Sequence, residues 1–530
     1  MNLAFIFLFL ARTALATIIN SPEQGPTGMK AARWWPQTGL CFPYQNSSWL
    51  STGPTCQTST SPTNPTAPIP PPDSVPITTI TTTYTTTTCP VTPTTITSGS
   101  VTYTKPVTQT MPDLPSNSNS ASAGLHVSPI DSVSLYCIRQ AETTRDMEKF
   151  NDFLSQQTAQ GSNCVHSCVL AAIDKAGKPF YTNTSGYDSV RPDAQPVTLD
   201  TTFWIASCTK TCTIIAVMQC VERGQITLDE PIHGVLPELA NPLIITPSET
   251  NDGKSPPFQL RPATKRITLR HLLTHTSGLG YDYHPLLMTW RASRGETPRC
   301  MEGKVIDALS LPLLFEPGEG WVYGVGIDWA GVAVARLNDM NTLEDYFEQF
   351  IYRPLGLSST TFRLERRPDI QARLIGTKHR RILGGAGLYS TVPEFIAIIG
   401  DLIKDDPVLL KRETIDQMCA PQFMAGSLCL ESLIASKDGL RSMTGDIDNA
   451  SGLNWTLAGL TAVRDTGAMR WGSVAWFGMP NLSWFFNRER GIAAVFATQV
   501  NPPLDRRCYS LANRFFDEVW RLSLGTESAR

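Results

Sequence analysis

Phe203-Trp204-Ile205-Ala206-Ser207-Cys208-Thr209-Lys210 is the stretch on which the reading turns. An apolar run leads into a Ser-x-x-Lys that opens the strongest helical pattern of the chain, Thr211 to Arg223, closed by Gly224. Residues three apart on a helix share a face, so the Ser207 hydroxyl and the Lys210 amine are expected side by side. Burial and nearby donors let such an amine take or polarise a proton that a solvated ammonium would leave alone. The start of a helix adds partial positive charge beside the nucleophile. On spacing alone a plainer alternative, a capping serine followed by a surface lysine, stays open.

Outward from this junction, both ends of the globular part read as strands. Cys164 to Ile173 is an apolar β-branched run, Asp174 to Gly177 a turn, and Pro179 starts the return strand. Near the C-terminus Ser483 to Phe486, a turn over Asn487 to Arg490, and Ile492 to Gln499 form a second hairpin. Between them helical patterns cover Thr268 to Thr274, Asp328 to Leu337, Thr342 to Tyr352 and Pro393 to Ile403, and a last one runs from Arg507 to Leu522. The fold class is therefore α+β. An antiparallel sheet built from both termini is flanked by helices, with an inserted all-helical lobe beside it.

Further strings add to the Ser-x-x-Lys. They are Thr268-Leu269-Arg270-His271-Leu272-Leu273-Thr274-His275-Thr276-Ser277-Gly278-Leu279, Asp200-Thr201, Leu228-Asp229 and Leu236-Pro237-Glu238-Leu239. Together, over about residues 146 to 520, they resemble the serine β-lactamase and penicillin-binding-protein superfamily. The likeness is to its class C-like branch of esterases and fungal transesterases of the lovastatin-acyltransferase type.

The resemblance implies a β-lactamase/transpeptidase-like fold and assigns Ser207 as nucleophile. It also implies a Tyr on a loop of the helical lobe, acting as general base under the charge of the Lys. Tyr323, in Trp321-Val322-Tyr323-Gly324, takes that place, with Val325 where an Asn is often found. A Lys-Thr-Gly triplet on the strand facing the nucleophile is missing. Trp471-Gly472-Ser473-Val474 is similar to the Trp-Gly-Gly variant of esterases and transesterases. It makes Trp471, Gly472 and Trp321 the expected substrate contacts, and the backbone N–H groups of Ser207 and Val474 the expected oxyanion donors. Gly384 to Ser390 reads as a structural Gly-rich turn, His275 as a structural histidine, and Cys208 and Cys212 as packing residues.

The expected reaction is acyl transfer through a Ser207 acyl-enzyme, with no metal or organic cofactor. The partners would be a small-molecule donor, possibly a carrier-protein or CoA thioester, and an alcohol acceptor. Tyr281, Tyr283, Trp290, Trp321 and Trp476 are candidates to line an apolar pocket. A secreted esterase or peptidase of the same fold, and a non-enzymatic surface protein, are the competing readings.

Composition sets the remaining bounds. The 530 residues are 41% hydrophobic and 17% charged, with a formal net charge of −3. No Lys/Arg-rich run appears, so a nucleic-acid partner is not expected. The 7 His include no HExxH-type pattern, which speaks against a zinc enzyme. Residues 1–16 form an apolar run too short to span a bilayer and ending in Ala14-Leu15-Ala16, which reads as a signal peptide. Residues 17–56 hold Trp34, Trp35, Cys41 and Cys56, and residues 57–133 are a Thr/Pro/Ser-rich linker. The catalytic domain is expected over 134–530, as a secreted monomer without integral membrane association, with sequons at Asn46, Asn183, Asn449, Asn454 and Asn481.

Overall fold

The computed structural model describes residues 95–98, 101–104, 147–162, 164–248, 256–376 and 383–527. The expected leader and the Cys/Trp segment lie outside the described residues. So does the Thr/Pro/Ser-rich stretch, apart from one antiparallel ribbon, Thr95–Ser98 (β1) against Val101–Thr104 (β2).

The larger unit opens with a helix over 147–158 (α1), followed by the hairpin Ser167–Asp174 (β3) and Pro179–Gly186 (β4). Phe203–Trp204 (β5) leads to the helix Thr209–Glu222 (α2). The lobe that follows is mainly helical but adds a ribbon, Leu243–Pro247 (β6) with Phe258–Pro262 (β7). The helix Gly326–Leu337 (α3) packs on α2, and Tyr389–Ser390 (β8) precedes the helix Val392–Asp401 (α4). Leu453–Trp455 (β9), Leu460–Ala462 (β10), Ser473–Gly478 (β11), Leu482–Asn487 (β12) and Ile492–Ala497 (β13) complete the sheet before the helix Arg506–Glu527 (α5).

The expected sheet from both termini is present. Its seven strands run in the order β4-β3-β13-β12-β11-β10-β9, all antiparallel, and β3 meets β13 with Ala172 opposite Ala494. Strands β12 and β13 are buried at every position instead of alternating, because helices cover both faces. Side chains of β12 leave in opposite directions to do this. Trp484 meets Phe395 of α4 edge-on at 6.5 Å, while Phe485 packs on Phe516 at 5.0 Å and stacks on Trp520 of α5. α1 joins the α5 side through Phe150, Phe515 and Tyr181.

Burial also sorts the glycan acceptor sites. Asn454 and Asn481 are buried, their amides donating to Phe423 O and to Val500 O and Pro502 O, which leaves no room for a sugar. Asn449 is exposed.

The covering helix α4 comes close enough to the sheet to require a glycine. A Cβ on Gly400 would fall 2.2 Å from Ile173 Cδ1. Gly400→Ala is expected to destabilise the wild-type chain, overpacking of about 1–3 kcal/mol outweighing a helix-propensity gain of about 1 kcal/mol. In an Ile173→Val background the obstructing methyl is gone, and the same substitution is expected to stabilise. Denaturant midpoints of the four proteins read this directly. Equal effects of Gly400→Ala in both backgrounds would refute it.

Candidate active site

The nucleophile turn is held by backbone pairing on one side and by a glycine-rich turn on the other. β5 pairs with β8, and Ile205 N–H donates to Leu388 O at 3.1 Å. Ala206 then takes a left-handed φ of +45°, uncommon for a residue with a side chain and a form of local strain that clusters at functional sites. That kink starts a 3-10 turn, Ala206–Cys208, which runs on into α2 and leaves Ser207 partly exposed. Cys208 and Cys212 are buried, and burial pushes the Cys212 thiol up to about 12, in keeping with packing roles.

Threonines latch α2 to the turn Gly384-Gly385-Ala386-Gly387. Thr213 Oγ1 donates to Gly384 O at 2.7 Å, and Thr209 Oγ1 accepts from Leu388 N–H at 3.1 Å. Trp204 Nε1 donates to Ala386 O at 2.6 Å. Gly385 N–H donates to Asp328 Oδ1 at 2.9 Å, an approach so close that a Cβ on Gly385 would lie 2.4 Å from Asp328 Oδ2. Asp328 is buried on α3, and burial raises its carboxyl while the Lys210 charge pulls it back.

Lys210 itself is 3% exposed and fully coordinated. Its Nζ donates to Gly385 O at 2.7 Å, to the Tyr281 hydroxyl at 3.0 Å and to Ser207 Oγ at 3.5 Å. It also lies 4.8 Å from the centre of the Tyr323 ring, within cation–π reach. Burial holds the Tyr281 phenol well above its usual value, so it stays neutral and accepts from the ammonium. His275 sits against Tyr323 with ring centres 4.6 Å apart. Burial and the Lys210 charge push its imidazole well down. Its Nδ1 accepts from Gly324 N–H, which puts the proton of the neutral ring on Nε2.

The sequence-predicted residues divide into two groups. Ser207, Lys210 and Tyr323 come together at one place. The Tyr323 hydroxyl accepts from Trp476 Nε1 at 2.9 Å. Trp321 is buried beneath that group, packed on Trp455 at 5.3 Å, and forms the floor of the site instead of its wall. The Trp471-Gly472-Ser473-Val474 placement requires correction. Trp471 is 55% exposed, Gly472 sits before the strand with φ +73°, and Val474 is buried between Thr461 and Phe486. Strand β11 reaches the nucleophile turn at its other end. A Cβ on Gly478 would lie 2.5 Å from Ile205 O and 3.3 Å from Cys208 Sγ. That is four residues beyond Val474, about 13 Å along a strand.

Tyr281 and Trp476, expected only as pocket-lining aromatics, bond directly to the central groups. Gly385, read from sequence only as part of a structural turn, accepts from the Lys210 amine, and Asp328, read only as a helix start, holds the Gly385 peptide. The signal for the strand end was Trp476-Phe477-Gly478, a Trp-x-Gly that begins five residues after Trp471-Gly472. Among the described residues no group of three His, Cys, Asp or Glu side chains is arranged to hold a metal, and no helix is long and apolar enough to cross a membrane.

Residues 150–516 match the family model described as Beta-lactamase. An acyltransferase, calJ, of Penicillium decumbens is 34% identical over 416 residues, covering 71% of this chain and 98% of the relative. A monacolin J acid methylbutanoyltransferase of Aspergillus terreus is 31% identical, covering 68% and 92%, and a lovastatin esterase of Penicillium rubens is 31% identical, covering 66% and 92%. The unliganded structure of simvastatin synthase from Aspergillus terreus superposes with a TM-score of 0.62 at 29% identity, over 71% of this chain and 98% of that one.

Two measurements check the site. Gly385→Ala drives a methyl into the Asp328 carboxylate and moves the carbonyl that holds Lys210. A misplacement of about 1 Å costs on the order of 100-fold in turnover, with the fold retained. Unchanged turnover would remove Gly385 from the site. The second is pH-dependent: burial lowers His275, and lowers His284 to about 4, against 6.5 in an unfolded chain. Below pH 6.5 the unfolded state therefore binds more protons than the folded one, and stability falls as pH drops. His284 alone accounts for about 2 kcal/mol lost by pH 5. The His284→Asn variant should show a flatter decline of melting temperature between pH 7 and pH 5, and an identical slope would refute the assignment.

Proposed function

The chain belongs to the β-lactamase family, and from that premise we propose that it is a serine acyltransferase. It moves an acyl group from an ester or thioester to a hydroxyl of a small molecule in secondary metabolism. The observation that carries this reading is the buried Lys210 amine at 3.5 Å from Ser207 Oγ, under the Tyr323 ring. The named activities of the fungal relatives favour the same chemistry.

In the proposed cycle Tyr323 acts in its phenolate form beside the Lys210 charge: Ser207 Oγ attacks the donor carbonyl and gives its proton to the phenolate oxygen. Trp476 N–H, donating to the Tyr323 oxygen, holds that oxygen in place. The oxyanion rests on the N–H of Ser207 and an N–H from the Gly478 end of β11, each worth about 3 kcal/mol. The leaving thiol or alcohol takes the proton from Tyr323, and the acyl group stays on Ser207. The acceptor hydroxyl then attacks, giving its proton to Tyr323. Ser207 leaves with that proton, and the new ester is released.

The aromatic surround supports transfer over hydrolysis. Tyr281 and Tyr283 stack at 5.0 Å, and Tyr323, Trp476 and Trp455 continue the apolar wall, leaving few groups to order an attacking water. A hydrolase is the second reading, favoured by the esterase among the relatives. Export as a monomer, and the carrier-protein or CoA identity of the donor, belong to the proposal as well.

Mixing the purified protein with a short acyl thioester should give a mass increase of one acyl group that is absent in Ser207→Ala. The adduct should persist in buffer and be discharged by a hydroxylated acceptor. Tyr323→Phe should slow its formation by on the order of 100-fold or more. Rapid loss to water whatever the acceptor would establish the hydrolase, and absence of an adduct with every donor would sink both readings.

A further inference from the structure

A cavity of about 230 Å³ is lined by residues of 344–367 and by none of Ser207, Lys210 and Tyr323. Four arginines line it, Arg353, Arg363, Arg366 and Arg367, together with the carboxylates of Glu344 and Glu348. Several of these charges are already spent. Arg367 is engaged by Asp369 at 2.6 Å and by Ser358 O at 2.6 Å. Glu344 turns its oxygens to the Thr361 hydroxyl, the Phe362 N–H at 3.0 Å and the Tyr352 hydroxyl at 3.3 Å, and burial raises its carboxyl towards the neutral form.

The other three guanidiniums are not spent. Among the described residues, Arg353 and Arg366 make no side-chain hydrogen bond or ion pair. Arg363 keeps a buried Nε without an acceptor, and its nearest carboxylate, Glu365, stands off at 3.9 Å. Against these three charges stand Glu348 and the buried Glu344 of the lining, and Glu365 at 3.9 Å from Arg363. A buried guanidinium N–H with no acceptor is costly, and guanidiniums without close acceptors around one hollow invite an anion.

We propose that this cavity is a binding site for a phosphate group, held by Arg353, Arg363 and Arg366. Its volume is below that of sites for drug-sized ligands, about 300–1,000 Å³, but holds a phosphate and the first atoms of an ester. Planar guanidinium forks pair bidentately with phosphate oxygens, and three of them suit a group with three terminal oxygens better than a carboxylate with two. The site is built on a fixed backbone. Arg363 N–H donates to Thr361 Oγ1 at 2.9 Å, and Thr361 exchanges two backbone bonds of 2.9 Å with Tyr389. Tyr389 belongs to β8, the partner of the strand that leads to Ser207, and Leu364 packs with Ala206 beside the nucleophile. An anion bound here therefore loads the same segment that holds the serine turn.

Calorimetric titration of the full chain with inorganic phosphate, with glycerol 3-phosphate and with acetate tests the assignment. Saturable binding of a phosphate is expected, weakening with added salt and at least about tenfold tighter than acetate. Arg353→Gln and Arg366→Gln, both at exposed positions, should each lower affinity about tenfold while leaving the melting curve unchanged. Tighter binding of the ester would assign the site to a phosphorylated ligand, and equal binding to the free ion. Absence of saturable phosphate binding, acetate affinity equal to that of phosphate, or full affinity in the Arg353→Gln/Arg366→Gln double variant would each overturn the proposal.

Discussion

An ammonium taken out of water must find its solvation within the protein, and Lys210 finds it in three oxygens and an aromatic face. Each of those groups comes from a different part of the chain. The carbonyl belongs to the Gly-rich turn, one phenol follows the Leu-Leu-Thr-His string, and the ring belongs to the loop before α3. Keeping all of them within reach of α2 requires ties between these parts, and they are present. Asp328 holds the peptide of Gly385, and Thr209 and Thr213 hold its flanks. His275, fixed by the Gly324 N–H, wedges the Tyr323 ring from behind. The helical lobe is thus ordered around one buried charge.

The same constraint explains the glycines of the turn. Ordinary side chains at 384 or 385 would push α3 away from α2, since a Cβ at either position meets carbonyl or carboxylate oxygens at 3.0 Å or less. A turn that sequence marks as structural is therefore inseparable from the chemistry it supports. Its Gly385 carbonyl faces the amine, while the Gly385 N–H is occupied by Asp328 and the neighbouring carbonyls by Thr213 and Trp204.

The fold was legible in the chain because its signals are local or periodic. Hydrophobic runs broken by turns gave both hairpins, and 3.6-residue spacing gave α2, α3, α4 and α5 to within a few residues. Ser207 and Lys210 were legible because one helix turn joins them. Tyr323 needed the resemblance, since nothing in its spacing links it to residue 207. Gly385 and Asp328 escaped because backbone carbonyls carry no residue-type signal and a buried carboxylate on an amphipathic helix reads as an ordinary polar position. Val474 was misplaced because Trp471-Gly472 and Trp476-Phe477-Gly478 lie within eight residues. Only packing against Ile205 tells which of the two approaches the nucleophile.

The pairing of β3 with β13 sets a timetable for the molecule. Ala172 emerges from the ribosome roughly 320 residues before its partner Ala494, and at about 5–20 residues per second that is a wait of tens of seconds. Through that interval the hairpin β3–β4 has an open edge of buried-type residues, and α2 has no strand against its nucleophile turn. Until β13 is made, β3 therefore keeps an unpaired strand edge of the kind that invites pairing with other chains.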